Sequence, residues 1–397
     1  MSGARVFFYV QHLLGIGHLR RAAAIARALS QAEFAVAFVS GGVPTPGLDL
    51  GRAHLVQLPP ARAGDSGFAS IVDDAGRPID DAWRARRRQA LLQAFAAFTP
   101  DVLLIELYPF GRRPFRFELA PLLAAAEAQR PRPLVACSVR DILVGRSDPQ
   151  RAADIVDIIR RHFDLVLVHG DPRLVPFEAT FPAAREIADR LRYTGYVVNE
   201  ASPVATSQAG AGEILVSAGG GAVGAPLLWT ALAARQLTRV GNLPWRLITG
   251  LNLPDAEFER LVAAAPAGVT VERFRGDFQA LLRNCRLSIS QAGYNTVMEL
   301  LAAGTRAVVV PFAEGGETEQ PLRARLLAER RLLTVVEPAA LTAASLAAAI
   351  DAADVAPPPP VAALDLAGVD GTVRAIGEML QTPTRARAAM QPSTMAR

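Results

Sequence analysis

A glycine-containing turn in the second half of the chain is followed, one helical turn later, by an acidic residue. The turn Gln291–Thr296 comes directly after the apolar run Leu287–Ser290, and Glu299 lies in the helical pattern behind it. Small residues let the backbone approach a ligand, and the N–H groups at a helix start favour an anion such as a diphosphate. The carboxylate of Glu299 can accept hydrogen bonds from two vicinal ribose hydroxyls. The pattern fits nucleotide binding, but such turns are also common as purely structural features.

Two further loops of the same half have a similar character. Ser217–Gly224 follows a strand-like run and contains three consecutive glycines, which have little use in packing but make sense where backbone touches phosphate. Pro311-Phe312 is followed by the polar segment Gly315–Gln320. In open parallel sheets, ligands bind beyond the carboxyl ends of the strands. Because all three loops follow strands, we expect them to converge on one binding site.

The first strand of the chain is followed by a histidine at the start of a helix. His18 comes after Gly15 and Gly17. The helix dipole at this position lowers the pKa of an imidazole, so that the ring stays neutral. A neutral histidine suits a general base or a hydrogen-bond donor, whereas the alternative is a capping residue with no chemical role. The segment is not a dinucleotide fingerprint, because Arg20 stands at the third glycine position.

Acidic residues also end two later strands of the first half. Glu106 closes one apolar run, and Arg140-Asp141 follows the next. Deprotonation of a hydroxyl needs one base, and the candidates in order are His18, Glu106 and Asp141. The competing explanation for Glu106 is a structural ion pair with Arg112 or Arg140.

The composition excludes several classes of protein. All 42 basic residues are arginine, which rules out a P-loop and a Schiff-base enzyme because both need a lysine. The net charge is only +4 and acids are interspersed among the arginines, so we expect no nucleic-acid partner. Neither Cys137 nor Cys285 has metal-ligand spacing, and no Asp-x-Asp motif occurs. We therefore predict buried thiols, no metal and no cofactor.

Short β-rich runs alternate with helical patterns in both halves, which indicates βαβ units and parallel sheets covered by helices. The strand candidates of the first half are Val6–Val10, Val36–Ser40, Val102–Ile105, Leu134–Ser138 and Leu165–Val168. Those of the second half are Ile214–Ser217, Trp245–Thr249, Val269–Glu272, Leu287–Ser290, Ala307–Val310 and Leu333–Val336. The fold class is therefore α/β. We expect an N-terminal Rossmann-like acceptor domain (1–198), a linker (199–212), a C-terminal Rossmann-like donor domain (213–365), a final helix that could cross back (366–382) and a disordered tail (383–397).

An ordered set of residues in the second half resembles glycosyltransferase family 28, which includes the bacterial enzyme that adds N-acetylglucosamine to lipid I. The set is Ser290-Gln291-Ala292-Gly293, Thr296, Glu299-Leu300, Ala303-Gly304, Val310-Pro311-Phe312 and Glu319-Gln320. The resemblance covers roughly the last half of the chain, and the whole chain also looks like a group of bacterial proteins known mainly as predicted glycosyltransferases. It implies a GT-B fold, in which two Rossmann-like parallel-sheet domains face each other across a cleft, and a UDP-sugar-like donor.

The resemblance also implies roles for individual residues. Glu299 would bind the ribose, Gln320 with Glu319 would contact the sugar hydroxyls, and Phe274 and Arg275 would border the base, whose edge main-chain groups of Arg275 would read. The diphosphate would lie against two loops, one formed by Gly219, Gly220, Gly221 and Ala222, and the other by Gln291, Ala292, Gly293, Tyr294, Asn295 and Thr296. On the acceptor side we expect Gly15, Gly17 and Arg140.

We therefore predict a metal-independent, inverting glycosyltransferase that moves a sugar from a nucleotide-diphosphate donor, UDP above all, to an unidentified hydroxyl acceptor. A GT-B sugar-nucleotide epimerase and a non-catalytic nucleotide-sugar-binding protein remain as alternatives. The sequence has no secretion signal and no apolar run of membrane length, which predicts a cytoplasmic protein. Peripheral contact with the inner membrane stays open, because Arg84–Arg88 lies beside Trp83, Leu91 and Phe95 and could form either a basic amphipathic patch or a solvated helix face.

Overall fold

The computed structural model describes residues 3–13, 17–64, 70–143, 148–198, 208–220, 223–314, 317–360 and 364–382. Three candidate site residues, Gly15, Gly221 and Ala222, lie outside these ranges, as do residues 199–207 of the expected linker, Gly315–Gly316 and residues 383–397. The chain divides into two compact units. The first contains residues 1–197 and 367–397, and the second contains residues 198–366.

In the described part of the first unit, seven strands form one parallel sheet. The strands are β1 (Arg5–Val10), β2 (Ala35–Ser40), β3 (His54–Gln57), β6 (Val102–Glu106), β7 (Leu134–Arg140), β8 (Leu165–His169) and β9 (Leu191–Tyr193), in the order β3-β2-β1-β6-β7-β8-β9. An antiparallel hairpin of β4 (Ala61–Ala63) and β5 (Ile71–Asp73) stands apart from the sheet. The central strands are apolar and buried on both faces, as expected of a parallel sheet with helices on each side.

Helices cover both faces of this sheet. They are α1 (Gly17–Gln31), α2 (Asp81–Phe98), α3 (Arg116–Ala128), α4 (Pro149–His162) and α11 (Gly368–Gln381), with short 3₁₀ segments at Arg113–Phe115, Phe177–Ala179 and Pro182–Arg190. Residues of α2, α3 and α4 pack against one face, and residues of α1 and α11 against the other. The final helix α11 approaches so closely that a Cβ on Gly371 would lie 2.0 Å from the carbonyl oxygen of Thr194. Glycine at 371 is therefore required for α11 to pack there.

The described part of the second unit repeats the pattern with six parallel strands. The strands are β10 (Ile214–Ser217), β11 (Trp245–Ile248), β12 (Val269–Glu272), β13 (Leu287–Ser290), β14 (Ala307–Val309) and β15 (Thr334–Val335), in the order β12-β11-β10-β13-β14-β15. The helices are α5 (Ala225–Arg235), α6 (Asp255–Ala264), α7 (Phe278–Asn284), α8 (Tyr294–Ala303), α9 (Glu319–Glu329) and α10 (Ala343–Val355), with a 3₁₀ turn at Pro338–Ala340. The predicted α/β class with two parallel-sheet domains is confirmed.

Each sheet has a point at which the strand order reverses. In the first unit the chain returns to pair β6 with β1, and in the second it returns to pair β13 with β10. Loops that leave such neighbouring strands in opposite directions open a crevice at their carboxyl ends, where open α/β sheets bind ligands. The loop after β1 leads to His18, and the loops after β10 and β13 contain Gly219-Gly220 and Gln291–Gly293. The topology thus places the candidate residues where each unit is expected to bind a ligand.

The helix α2 carries the run Arg84–Arg88, most of which faces outward, while the opposite face of the helix packs into the core. Trp83, Leu91 and Phe95 are buried in the apolar core, whereas Arg86 and Arg88 are exposed. The apolar side chains that a membrane patch would need are therefore turned inward. Of the two explanations for this helix, the solvated face is the one that the packing supports.

Arg87 on the inner face of α2 is fully buried and joins the ends of three strands to two helices. Its Nε and Nη2 donate to Glu118 of α3 at 2.8 and 2.9 Å, and Nη1 donates to the carbonyls of Gly41 and Pro59 at 2.7 and 2.6 Å. Nη2 also donates to Gln11 at 2.5 Å. A buried charge is tolerated only when it is paired and hydrogen-bonded, and Arg87 meets both conditions.

We expect Arg87→Met to lower the free energy of unfolding by about 3–5 kcal/mol, because Glu118 would remain buried without its cation. Urea denaturation followed by circular dichroism measures the change. Arg88→Met is the matched control, since Arg88 is the exposed neighbour on the same helix. Equal losses in the two variants would contradict this role for Arg87.

Candidate active site

A histidine and a glutamate meet at the carboxyl edge of the first sheet, where the strand order reverses. His18 is the second residue of α1, and Glu106 is the last residue of β6. The ring Nδ1 of His18 lies 2.6 Å from Glu106 Oε1, and Arg140 Nη2 lies 2.9 Å from the ring Nε2. Two of the predicted catalytic residues and one predicted acceptor-side residue are thus in direct contact.

These contacts determine which ring nitrogen of His18 carries the proton. Arginine can only donate hydrogen bonds, so the Nε2 that faces Arg140 must be the acceptor. The proton then lies on Nδ1 and is donated to the ionised carboxylate of Glu106. The neutral ring therefore has its lone pair on Nε2, which is the atom that a general base uses.

Burial lowers the pKa of His18 from its ordinary value of 6.5 to about 4. Arg140 and Arg112 act in the same direction, whereas Glu106 opposes them. The unfolded chain takes up a proton on this ring near 6.5, but the folded chain does so only near 4. The contribution of His18 to folding stability is therefore complete above 6.5 and is lost as the pH falls to 4.

Glu106 is fully buried, and cations surround it. Its Oε1 also accepts a hydrogen bond from Arg21 Nη2 at 2.8 Å, and Arg112 Nη2 lies 3.6 Å from Oε2. Burial alone would raise the pKa of Glu106, but His18 and the two arginines lower it well below its usual range. A carboxylate that holds its charge so firmly is a poor base. It is suited instead to orient His18 and to stabilise the ring when it is protonated.

Asp141, the third candidate base, is also fully buried but has a different environment. Its Oδ2 accepts a hydrogen bond from the hydroxyl of Tyr196 at 2.8 Å, and its Oδ1 accepts one from the backbone of Ile142 at 2.9 Å. A Cβ on Gly170 would lie 2.5 Å from its Cβ, so β8 packs tightly against it. These contacts favour a structural role for Asp141 over a role as the base.

Sequence reasoning missed Arg21 and a second buried histidine behind this site. Arg21 lies three residues after His18, a spacing that puts both on one face of α1, and this spacing was the available signal. His169 at the end of β8 contacts Ser138 at 2.7 Å and Thr194 at 2.9 Å. The same strand ends thus supply two groups of polar contacts. The group around His18 and Glu106 was predicted, whereas the group around His169 was not.

In the second unit, the loops after β10 and β13 contain three glycines that packing does not require, although Gly224, which ends the first loop, is required because a Cβ there would lie 2.1 Å from the Cβ of Ala218. A Cβ on Gly219 or Gly293 would meet no atom within 4 Å, and one on Gly220 would meet only Asn252 Nδ2 at 3.6 Å. Gly219 also has a φ of 58°, which favours glycine. The side chain of Gln291 donates to the carbonyl of Val223 at 3.3 Å and so links the two loops. For Gly220 and Gly293, packing among the described residues does not explain the choice of glycine.

The helix α8 begins directly after these glycines and carries Glu299, which is half-buried. A helix start directs N–H groups and the positive end of its dipole outward, which suits an anion. Tyr294 is only 5% exposed, and its ring packs 5.0 Å below the guanidinium of Arg323. The Tyr294 side chain therefore serves the core, so at this predicted position only backbone can face a ligand.

Serine hydroxyls end the two strands below these loops. Ser217 and Ser290 are partners across β10 and β13, and both hydroxyls are buried without a hydrogen-bond partner among the described residues. Sequence reasoning did not single out either hydroxyl as a site atom, although both residues border the glycine turns.

The two residues predicted to border the base differ in the exposure and contacts of their side chains. Phe274 is 55% exposed after β12, whereas the Arg275 side chain is held by Asp277 at 2.8 Å through both Nε and Nη2. The side chain of Arg275 is thus engaged within the protein. This leaves its main-chain groups for the edge of the base, which is the role that the resemblance implies.

Glu319 and Gln320, the predicted sugar contacts, point to different neighbours. Glu319 is buried and its Oε1 accepts from Arg323 at 2.7 Å. Gln320 Oε1 accepts from the backbone of Phe312 at 3.0 Å, which leaves its amide N–H₂ as a donor without a partner in the described residues. Of this pair, Gln320 is the one equipped to bind a hydroxyl.

Metal-ligand groups and membrane-spanning helices can be assessed for the part of the chain that the structure describes. In that part, no set of three or more His, Cys, Asp or Glu side chains could hold a metal ion. None of its helices combines the length and the apolar character needed to span a membrane.

We expect the ring of His18 to stay neutral, with its proton on Nδ1, from roughly pH 5.5 upward, because its pKa lies well below the ordinary histidine value. The ¹⁵N chemical shifts of the imidazole nitrogens, recorded between about pH 4 and 8, report both the charge and the tautomer. The His18→Gln variant identifies the His18 signals. A midpoint near the ordinary value, or a proton on Nε2, would overturn the assignment.

Comparison with known proteins places this geometry in context. Residues 214–359 match the glycosyltransferase family 28 C-terminal domain. A stretch of 128 residues, 30% of this chain, is 34% identical to the UDP-N-acetylglucosamine--N-acetylmuramyl-(pentapeptide) pyrophosphoryl-undecaprenol N-acetylglucosamine transferase of Synechococcus sp. (strain CC9902). The chain spans about a third of the length of that relative, 32%.

Solved structures with low sequence identity share the fold across nearly the whole chain. MurG of Acinetobacter baumannii aligns over 96% of this chain and 100% of its own, with a TM-score of 0.57 and 17% identity. A Listeria monocytogenes protein assigned as a UDP-N-acetylglucosamine 2-epimerase aligns over 96% and 98%, with a TM-score of 0.60 and 14% identity. The chain therefore shares the GT-B fold, and its residues 214–359 match the C-terminal domain of glycosyltransferase family 28.

Proposed function

We propose that this protein is a glycosyltransferase that moves a sugar from a nucleotide-diphosphate donor, UDP above all, to a hydroxyl acceptor. The observation that carries the proposal is the family 28 domain itself. Its two glycine-lined loops lie side by side where the strand order reverses, and Glu299 follows on the adjoining helix. The donor belongs to the second unit, and activation of the acceptor belongs to the first.

In the donor site, backbone would bind the phosphates and side chains would bind the rest of the nucleotide sugar. The start of α8 and the loop at Gly219-Gly220 would receive the diphosphate, because both offer close backbone approach. Glu299 would accept hydrogen bonds from the ribose, and Phe274 would border the base. The free amide of Gln320 would donate to a sugar hydroxyl, whereas we assign Glu319 to holding Arg323.

In the first unit, His18 would act as the base and Glu106 as the residue that positions it. The acceptor hydroxyl would give its proton to His18 Nε2 and displace Arg140 from that atom. The hydroxyl oxygen then forms a bond to the anomeric carbon as the bond from that carbon to the phosphate oxygen breaks. The nucleoside diphosphate leaves with the electron pair. A single displacement of this kind inverts the anomeric centre, and none of the assigned steps requires a metal.

The ion pair with Glu106 explains how a histidine with a low pKa can serve as a base. In the resting site, Arg140 occupies the lone pair and its charge disfavours protonation. When the acceptor displaces Arg140 from Nε2, the lone pair becomes available, and the charge of Glu106 stabilises the imidazolium that forms. Glu106 therefore has two roles through one hydrogen bond to Nδ1 of His18. Before proton transfer the bond sets the tautomer of the ring, and after proton transfer it stabilises the imidazolium.

We expect Glu299→Ala to weaken the binding of UDP-sugars by about 10- to 100-fold, because hydrogen bonds to a charged group contribute about 1.5–3 kcal/mol. Isothermal titration of the full-length protein with a panel of UDP-sugars measures the loss. Glu259→Ala is the matched control, because Glu259 is exposed on α6 of the same unit. Undiminished donor binding by Glu299→Ala would remove the basis of the donor assignment.

We expect His18→Ala to lower turnover by about 10²–10⁴-fold while leaving donor binding unchanged, because a positioned general base contributes about that much. Release of UDP from the preferred UDP-sugar, with and without candidate acceptors, measures turnover. His54→Ala is the control, since His54 is exposed on β3. An NMR time course distinguishes the alternatives. A new UDP-sugar formed without acceptor would indicate an epimerase, and donor binding without turnover by the wild type would indicate a sensor.

A further inference from the structure

Arg112 is a largely buried cation that has few partners among the residues that the structure describes. Its side chain is 9% exposed, and its Nε is buried without a hydrogen bond to any described residue. Within the described ranges, its one ion pair is the 3.6 Å approach of Nη2 to Glu106 Oε2, which is too long for a hydrogen bond. Burial lowers the pKa of Arg112, and Arg140 lowers it further. The buried Nε of Arg112 therefore has an unused hydrogen bond in the described part of the chain.

The backbone at this position is also strained. Arg112 has a φ of 62°, and Leu107 in the same loop has a φ of 67°. Residues other than glycine adopt this left-handed region at a cost, and such strain tends to occur at functional sites. The loop between β6 and α3 thus holds a costly backbone conformation that directs Arg112 to the His18–Glu106 pair.

One carboxylate oxygen of Glu106 is satisfied without Arg112, because Arg21 and His18 donate to Oε1 at 2.8 and 2.6 Å. Arg112 approaches the other oxygen, Oε2, at 3.6 Å without forming a hydrogen bond. Arg140 adds a further guanidinium on the opposite side of the His18 ring. The charge of Arg140 also lowers the pKa of Arg112, and both guanidinium groups contact the same His18–Glu106 pair. Neighbouring cations of this kind are stabilised when an anion lies between or beside them.

We propose that Arg112 and Arg140 bind an anionic group of the acceptor, a phosphate or a carboxylate, next to the hydroxyl that His18 deprotonates. The inference rests on the proposed function for the identity of the acceptor, but the anion site stands on the geometry of the first unit alone. The fork of a guanidinium matches two oxygens of either anion. Because Arg140 also contacts His18 Nε2, an anion drawn to Arg140 brings its attached hydroxyl to the base.

The test uses the full-length protein and simple anions in place of the acceptor. Thermal unfolding is followed as inorganic phosphate or acetate is added, with sodium chloride keeping the ionic strength constant. We expect one or both anions to raise Tm in the wild type, and the more effective one identifies the acceptor group. Arg112→Gln should raise the half-saturating concentration by about tenfold or more, because it removes the charge-assisted hydrogen bonds. Arg113→Gln, which alters the exposed neighbour, should respond as the wild type does.

Stability without added anion provides a second readout. Without added anion, we expect Arg112→Gln to lower Tm by much less than Arg87→Met does, because Arg112 approaches its acid without a hydrogen bond, whereas Arg87 donates to Glu118 through two nitrogens. A loss as large as that of Arg87→Met would mean that Arg112 is chiefly a structural partner of Glu106, and the proposal would be wrong. It would also be wrong if no anion stabilises the wild type, or if Arg112→Gln keeps the full response.

A third arm separates this site from the donor site. UDP binding, measured by titration, should be unchanged in Arg112→Gln and weakened by about 10- to 100-fold in Glu299→Ala. If Arg112→Gln weakens UDP as strongly as it weakens phosphate, the anion belongs to the donor and the proposal fails. If Glu299→Ala leaves UDP binding intact while phosphate still depends on Arg112, the donor assignment fails and the anion site stands.

Discussion

The first unit depends on a carboxylate that has no access to water. Glu106 lies at the carboxyl end of a central strand, fully buried, and a buried anion is stable only when cations and hydrogen-bond donors surround it. Arg21 supplies the charge from α1, which also carries His18, so one helix provides both the counter-ion and the reactive ring. Because Arg21 keeps Glu106 ionised, Glu106 can only accept from His18, and this fixes the proton on Nδ1. The tautomer of His18 and the position of its lone pair on Nε2 follow from this one buried charge, whereas the low pKa of the ring comes from burial and is opposed by Glu106.

The second unit also reverses its strand order at one point, but the residues at that point differ in kind from those of the first unit. Its sheet also reverses order between two central strands, yet the loops at that point carry glycines and end in a helix start where the first unit carries charged side chains. Backbone N–H groups and a helix dipole can stabilise an anion without bringing a buried counter-charge of their own. A unit built in this way can bind a diphosphate and later release it. The first unit holds permanent charges, which suits the orientation of a base.

The apolar runs predicted most strands, because a strand buried on both faces is largely apolar, and the buried strands β10 and β13 begin and end where the sequence indicated. The bounds of β12 were also predicted, although this edge strand is partly exposed. The runs His54–Gln57 and Leu191–Tyr193 were missed because they are short, mixed in polarity and lie at sheet edges. Sequence order also brought His18 and Glu106 to one site, since both follow strands. It could not choose the partner of Glu106 among several arginines, because that choice depends on how α1 is rotated against β6.

Two buried arginines of the first unit show why burial alone does not separate structure from function. Arg87 and Arg112 are both at least nine-tenths buried, and both lie near a glutamate. Arg87 donates from all three of its guanidinium nitrogens to acceptors on helix α3 and at three strand ends, so its charge and its donors are satisfied within the protein. Arg112 lies in a strained turn, 3.6 Å from its acid, with Nε unpartnered. Natural folds rarely leave a buried donor unsatisfied, because the loss of solvation is not recovered. The two residues therefore differ in their hydrogen-bond partners. Arg87 has a full set within the protein, whereas Arg112 still has donors for the anion that we propose it binds.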